Sequence, residues 1–256
     1  MTTELEHLRN APIDEVSCGI IFETIDELDP LVVGSYWSKR ANEYPQHALR
    51  VPYALFAPHA GAPPVRSLIT SKDDQFVLQV QADRFMVNWR RRDAQYPRFN
   101  DRDGKEGILG RTLREFGDFD AFCEATFGKR LTPKAIELAK IDVIREGTYW
   151  KELKEIAQLF PSLRDFLGFT KSTKPSFILR FNEVRSKGMV YIGVALGETK
   201  QEAVRVLTLD TRTARQLGSA SLKQAFTEAN EELNEVFAGL IPKEQRGVFF
   251  GAGGPT

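Results

Sequence analysis

The sequence predicts an α+β protein of two similar halves, each a mainly antiparallel sheet packed against one long helix. Three observations carry that expectation. Gln75 to Gln81 alternates, with Phe76, Leu78 and Val80 on one face. After a break at Ala82-Asp83, Arg84 to Arg90 alternates again, with Phe85, Val87 and Trp89 on one face. Two period-2 runs joined by two residues are the signature of a β-hairpin. Ser219 to Ala238 then places Leu222, Phe226, Ala229, Leu233, Val236 and Phe237 along one stripe of a helix, the pattern of an amphipathic helix over a core. Finally, the order strand, helix, irregular connection, antiparallel strands, long helix occurs twice, once in residues 1–130 and once in 131–256.

Each element has its own local reason. Val16 to Phe22 is a short β-rich run entered through Ala11-Pro12-Ile13, and the proline keeps a helix from extending backwards. Asp29-Pro30 is a helix start, after which Leu31, Gly34, Trp37 and Ala41 recur at helical spacing until Tyr44-Pro45. Pro45 to Pro64 holds five prolines and a glycine and reads as a long connection, with an edge strand at Tyr53 to Phe56. Arg66 to Thr70 is a strand closed by the polar turn Ser71 to Asp74. From Glu106 to Phe122 the apolar positions Leu109, Leu113, Phe116, Phe119 and Phe122 return to the helical period.

In the second half, Ile136 to Ile144 alternates as a strand does, although its helix propensity is nearly as good. Trp150, Leu153, Ala157 and Phe160 mark a short helix closed by Pro161. Phe177 to Phe181 and Met189 to Ala195 flank the turn Arg185 to Gly188, and Ala203 to Leu209 makes a third strand. The tail from Gly247 to Thr256 reads as a flexible Gly-rich end. Taken as an element order, the two halves resemble the helix-grip and TATA-binding-protein-like folds, a likeness that fixes no function.

Composition narrows the function classes. The 256 residues carry 35 Lys+Arg against 35 Asp+Glu, 42% are hydrophobic and 27% charged, which is globular and too apolar for a disordered chain. Zero net charge argues against a protein that coats nucleic acid or an anionic membrane. Two cysteines, Cys18 and Cys123, suit a reducing, cytoplasmic setting as small buried residues. Residues Met1 to Asn10 include Glu4 and Glu6 and no apolar run, so no signal peptide is expected. No stretch approaches the ~20 apolar residues that span a bilayer, so no membrane partner is expected.

Catalytic and cofactor patterns fail in turn. His7, His47 and His59 stand at no metal-ligand spacing, and two distant cysteines add nothing to them, so neither a metal nor another cofactor is expected. A nucleophile elbow, a phosphate-binding loop and a dinucleotide fingerprint are all missing. The 35 acidic residues leave a carboxylate-based enzyme open without ranking any pair.

One constellation stands out. Six arginines (84, 90, 91, 92, 98, 102) against Asp93 and Asp101 give the stretch Arg84 to Arg102 a local charge of +4, with Trp89, Tyr96 and Phe99 interleaved. Guanidinium groups beside rings serve phosphate and base recognition, and they equally serve a hot spot for an acidic protein surface. In the structural alternative, Phe85 and Trp89 belong to the core and the arginines pair with Asp93, Asp101 and Asp103. The acidic face of the last helix (Glu228, Glu231, Glu232, Glu235) offsets this charge. Two copies, or a copy and a partner, could thus meet basic face to acidic face.

Three stretches together carry a resemblance: Ala11 to Val16, then Asp83 to Arg90 with Tyr96-Pro97-Arg98-Phe99, and the final helix running into Phe237 and Gln245-Arg246. They resemble a sporadically distributed family of uncharacterised bacterial proteins of about this length, with a Pro-Ile-x-Glu-Val opening and an Arg-Phe-x-x-Asn-Trp-Arg strand followed by Tyr-Pro. Ala11 replaces a proline common there, and Asn230 stands where a histidine is common. The resemblance implies Arg84, Asn88, Trp89, Arg90, Tyr96 and Pro97 as motif positions, and a setting in phage-defence or toxin–antitoxin loci. Three readings follow. The first is a cytoplasmic binding or regulatory protein, accessory or antitoxin-like, whose partner is another protein encoded nearby. The second is a nucleic-acid binder, and the third an enzyme with an unfamiliar carboxylate site. The candidate binding residues are Arg84, Asn88, Trp89, Arg90, Arg91, Arg92, Tyr96 and Arg98.

Overall fold

In the computed structural model, residues 8, 10–50, 66–92, 96–102, 104–164, 167, 176–185, 188–199 and 204–251 are described. Nine strands form one sheet in the order β2-β3-β4-β5-β1-β6-β9-β8-β7. They are β1 (Ile13–Phe22), β2 (Gln46–Arg50), β3 (Arg66–Thr70), β4 (Phe76–Gln81), β5 (Arg84–Arg90), β6 (Pro133–Arg145), β7 (Phe177–Arg185), β8 (Gly188–Glu198) and β9 (Arg205–Gln216). Five described α-helices accompany them: α1 (Pro30–Ser38), α2 (Ile108–Phe127), α3 (Leu153–Leu159), α4 (Leu222–Leu240) and α5 (Lys243–Phe250). The α+β class and the antiparallel sheet match the expectation. The chain divides into two compact units, Glu15–Leu138 with Ala214–Thr227, and Met1–Asp14 with Ala139–Thr213 and Glu228–Thr256.

In the unit containing β5, the β4–β5 hairpin pairs antiparallel from Phe76↔Trp89 to Gln81↔Arg84, which leaves Ala82 and Asp83 as the expected two-residue turn. Strand β1 pairs antiparallel on the other side of β5, Val16↔Trp89 through Ile21↔Arg84. Alternation then sorts the side chains by face. Val16, Cys18, Ile20, Phe22, Phe85, Val87 and Trp89 are buried on the face that α2 covers, where Phe85 stacks on Phe119 at 5.0 Å and Phe22 meets Phe116 and Phe119 at 6.4 Å. Each such fully buried apolar side chain contributes about 1.5–3 kcal/mol. Helix α1 starts where Asp29 Oδ1 accepts from the Leu31 and Val32 N–H groups, and Tyr36 packs on Phe119 at 5.1 Å. Gly128, in the left-handed region at φ 68, closes α2 as a C-terminal glycine does.

In the other unit, β7 and β8 form a hairpin and a second core gathers Ile144, Trp150, Ile156, Leu159, Phe160, Val194, Leu196, Leu207, Leu209, Phe237 and Phe250. A capping box between Glu152 and Glu155 opens α3. Trp150 is core, its Nε1 donating to the Ile144 carbonyl at 3.0 Å.

Two details depart from the sequence reading. Strand β2 (Gln46–Arg50) lies where a featureless connection is expected, because pairing with β3 from Gln46↔Thr70 to Arg50↔Arg66 overrides weak local propensity. The proposed edge strand at residues 53–56 lies outside the described residues. The tail, read as flexible from Gly247, is helical through Phe250, which is fully buried. Phe250 supplies that anchor with Phe249 packed against the same core, Val248 being exposed, and residues 252–256 lie outside the described residues.

Candidate functional site

The strand β5 presents opposite chemistry on its two faces. Trp89 is fully buried toward α2, with Tyr96 edge-on against it at 5.4 Å. Arg84, Met86 and Asn88 occupy the other face, and they too are buried. Asn88 is the hub of a hydrogen-bond chain that crosses four strands. Arg66 Nη1 donates to Gln79 Oε1 at 2.7 Å, and Gln79 Nε2 donates to Asn88 Oδ1 at 2.6 Å. Asn88 Nδ2 then donates to Glu15 Oε1 at 2.6 Å, while Ser17 Oγ also donates to Asn88 Oδ1 at 3.2 Å. Aligned donors and acceptors of this kind polarise one another, and they lock the register of β3, β4, β5 and β1.

Arg84 forms a second buried group on the same face. Its Nε and Nη2 donate to the two oxygens of Asp83 at 3.1 and 3.0 Å, and its Nη1 to Glu137 Oε1 at 3.1 Å. Close by, a Cβ added to Gly19 would stand 3.4 Å from Glu137 Cβ, so a larger residue there would press on this group.

Beyond β5 the arginines turn outward. Arg90 and Arg91 are half-buried and Arg92 is exposed, with its Nη2 2.7 Å from Asp74 Oδ2. The following loop is fastened to the start of α2. The Ile108 N–H donates to the Arg98 carbonyl at 3.1 Å, and the Leu109 N–H to the Phe99 carbonyl at 2.9 Å. The Gly107 N–H donates to Asp101 Oδ1 at 2.7 Å. Three N–H groups at the helix start, which lack partners within a helix, are therefore satisfied by the loop. Fit demands glycine at 107, where a Cβ would lie 2.5 Å from the Asn100 backbone, whereas a Cβ at Gly110 would displace the Asp101 carboxylate. Within this clamp Arg98 sits at φ 70, a left-handed conformation uncommon for a long side chain. Such residues persist where the surroundings over-determine them, often at recognition sites. Asp93 and Asp103, proposed as arginine partners, lie outside the described residues.

A second charged cluster in this unit had not been expected from the sequence. Glu115 of α2 is fully buried, yet it bonds Arg40, accepts from the Tyr44 hydroxyl at 2.8 Å and lies 3.5 and 3.2 Å from Arg111 and Arg114. Burial pushes the Tyr44 hydroxyl above its ordinary range, with the Glu115 charge adding to this and Arg111 opposing it. Burial alone would weaken the Arg40 charge, but Glu115 and Tyr36 together more than offset that and the guanidinium is held more firmly protonated. The signal available was an acid on the apolar stripe of α2, one turn after Arg111.

In the other unit, Lys140 Nζ donates to Asn234 Oδ1 of α4 at 2.6 Å, and Thr213 Oγ1 to Glu232 Oε2 at 3.0 Å. Glu232, counted in the acidic face of α4, is thus engaged within the fold. Asn230 is buried with its Oδ1 unbonded. Among the described residues no three His, Cys, Asp or Glu side chains converge as metal ligands, and no helix is long and apolar enough to cross a membrane. No protein-family model matches the chain, and no curated protein matches it.

Proposed function

We propose that this chain is a binding or regulatory protein that recognises an acidic surface of another protein through the segment Arg90–Arg92 and Arg98. The observation that carries the reading is the clamp on Arg98, whose carbonyl and that of Phe99 are held by the first N–H groups of α2. A loop fixed before binding loses little entropy on binding, and arginine is enriched among interface hot spots. In this reading Arg84, Asn88 and the fully buried Trp89 shape the strand from within, and Trp89 supports the loop through Tyr96. A role as an accessory or antitoxin-like component of a bacterial phage-defence or toxin–antitoxin locus, acting in the cytoplasm beside a separate effector, belongs to the same proposal. So does a two-half organisation of the helix-grip or TATA-binding-protein-like kind, supported by a hairpin and a long helix in each half.

Nucleic-acid binding is the second reading. It is less well supported, because Arg84 is spent on Asp83 and Glu137 inside the fold and the chain as a whole carries no net charge. The test is copurification with the protein encoded beside it, comparing the native chain with Arg91→Glu/Arg98→Glu. Loss of the complex is expected under conditions in which the urea midpoint shows the double variant still folded. Retention of the complex by the double variant would overturn the proposal. Binding to DNA or RNA at about 50 mM salt that weakens steeply as salt is added would replace it with the second reading.

A further inference from the structure

The strand β7 ends the sheet beside β8. An end strand offers a row of outward N–H and C=O groups to any other strand, and folded proteins blunt such edges with short strands, prolines or bulges. At the opposite end, β2 is only five residues long. Among the described residues strand β7 has none of these, its one guard being the charges of Arg180, Glu183 and Arg185. It runs nine residues without proline and pairs with β8 in one unbroken register from Phe177↔Leu196 to Arg185↔Gly188.

Its side chains also depart from the usual edge. Of the six large hydrophobic residues exposed among those described, three lie on this strand: Ile178 at 66%, Phe181 at 54% and Val184 at 85%. Phe177 and Leu179 pack against the core of their unit, so the strand is held in place; Phe181 shares their face but is exposed, and Ile178 and Val184 are exposed on the opposite face.

We infer that β7 pairs antiparallel with β7 of a second copy of this chain. The choice of occupant follows from self-complementarity. Faces alternate along a strand, so a symmetric antiparallel pair must be centred on a residue. Centred on Phe181, the pair uses all nine residues. It sets Phe181 opposite its copy, and Ile178 opposite Val184 of the partner on both sides of the axis, so every exposed apolar residue meets another. A centre at Arg180 opposes two guanidinium groups, and one at Glu183 opposes two carboxylates. A centre at Asn182 puts Phe181 against Glu183. Centres nearer either end leave Ile178 or Val184 unmatched. In the favoured register the two Arg180 side chains fall diagonally, roughly 7–8 Å apart at their bases. Added salt should therefore tighten this dimer, the opposite sign to binding an acidic partner through Arg90–Arg98, and the two proposals stand independently.

The experiment is sedimentation of the full chain with site-specific crosslinking. The native chain is expected at twice the single-chain mass, and more fully so at higher salt. Val184→Lys, at a solvent-facing position, should give the single-chain mass with an unchanged urea midpoint. Residues directly opposite in an antiparallel pair are close enough for a disulfide. Cys18 and Cys123 are buried, so Phe181→Cys should oxidise to a covalent dimer and Arg180→Cys should not. A native chain at single-chain mass throughout, a Val184→Lys dimer equal to the native one, or equal crosslinking at residues 180 and 181 would each overturn the inference.

Discussion

Strands β5 and β7 invert what their sequences advertise. Arg84, Asn88 and Trp89 have interface chemistry, yet all three are buried in the fold. Ile178, Phe181 and Val184 look like ordinary strand-core residues, yet they are the exposed ones. The cause is position in the sheet. With neighbours on both sides, β5 can satisfy polar groups laterally through Gln79, Ser17, Glu15 and Glu137. At the end of the sheet, β7 has one neighbouring strand among the described residues, and Ile178, Phe181 and Val184 lack cover. Residue type alone says what a side chain could bind, and strand order decides what it meets.

The largest expected effect breaks the inward side of this comparison. Arg84→Met strands the Asp83 and Glu137 carboxylates in the interior, and removing one member of a buried ion pair costs about 3–5 kcal/mol. Urea denaturation would read this as a lower midpoint, with part of the loss recovered by Arg84→Met/Glu137→Gln. An unchanged midpoint for Arg84→Met would mean that the arginine is not buried. Next comes Asn88→Leu, which deprives Ser17, Gln79 and Glu15 of a shared partner. Leaving buried polar groups unsatisfied costs about 1–3 kcal/mol, again read from the urea midpoint.

Alkali tests the neighbouring cluster around Glu115. The hydroxyls of Tyr36 and Tyr44 are both raised, first by burial, so they favour the folded chain while neutral. That contribution is complete below their ordinary value of 10.0 and is lost as pH rises beyond it. The urea midpoint should therefore fall above that pH, and the part of the tyrosinate absorbance that Tyr36→Phe and Tyr44→Phe remove should grow in only as the chain unfolds. Hydroxyls that ionise in the folded chain at the ordinary value would contradict this.

The smallest effects belong to the outward side. Arg92→Ala breaks an exposed pair with Asp74 of a kind that contributes about 0–1 kcal/mol, so its urea midpoint should stay close to that of the native chain. A large loss would place Arg92 with Arg84 as a structural residue.

Much of this was legible in advance, and what was not has physical causes. The β4–β5 hairpin, α2 and α4 follow from period and turn spacing, which are local signals. Residues 136–144, ambiguous between strand and helix, resolve as the middle of β6 because a place between β1 and β9 outweighs propensity. Strand β2 was missed because its pairing with β3 is long-range. The Arg–aromatic segment was found by composition, but composition could not separate buried Arg84 from exposed Arg92. The Glu115 cluster escaped because its arginines come from α2 and, through Arg40, from a distant turn.

Amide hydrogen exchange of the full chain across a dilution series tests the inversion of β5 and β7 most directly. Amides of β5 should be strongly protected at every concentration. The β7 amides that do not bond to β8 should be protected only at high concentration, and should lose that protection in Val184→Lys. Outward β7 amides that exchange freely at all concentrations, or β5 amides whose protection follows concentration, would contradict the account.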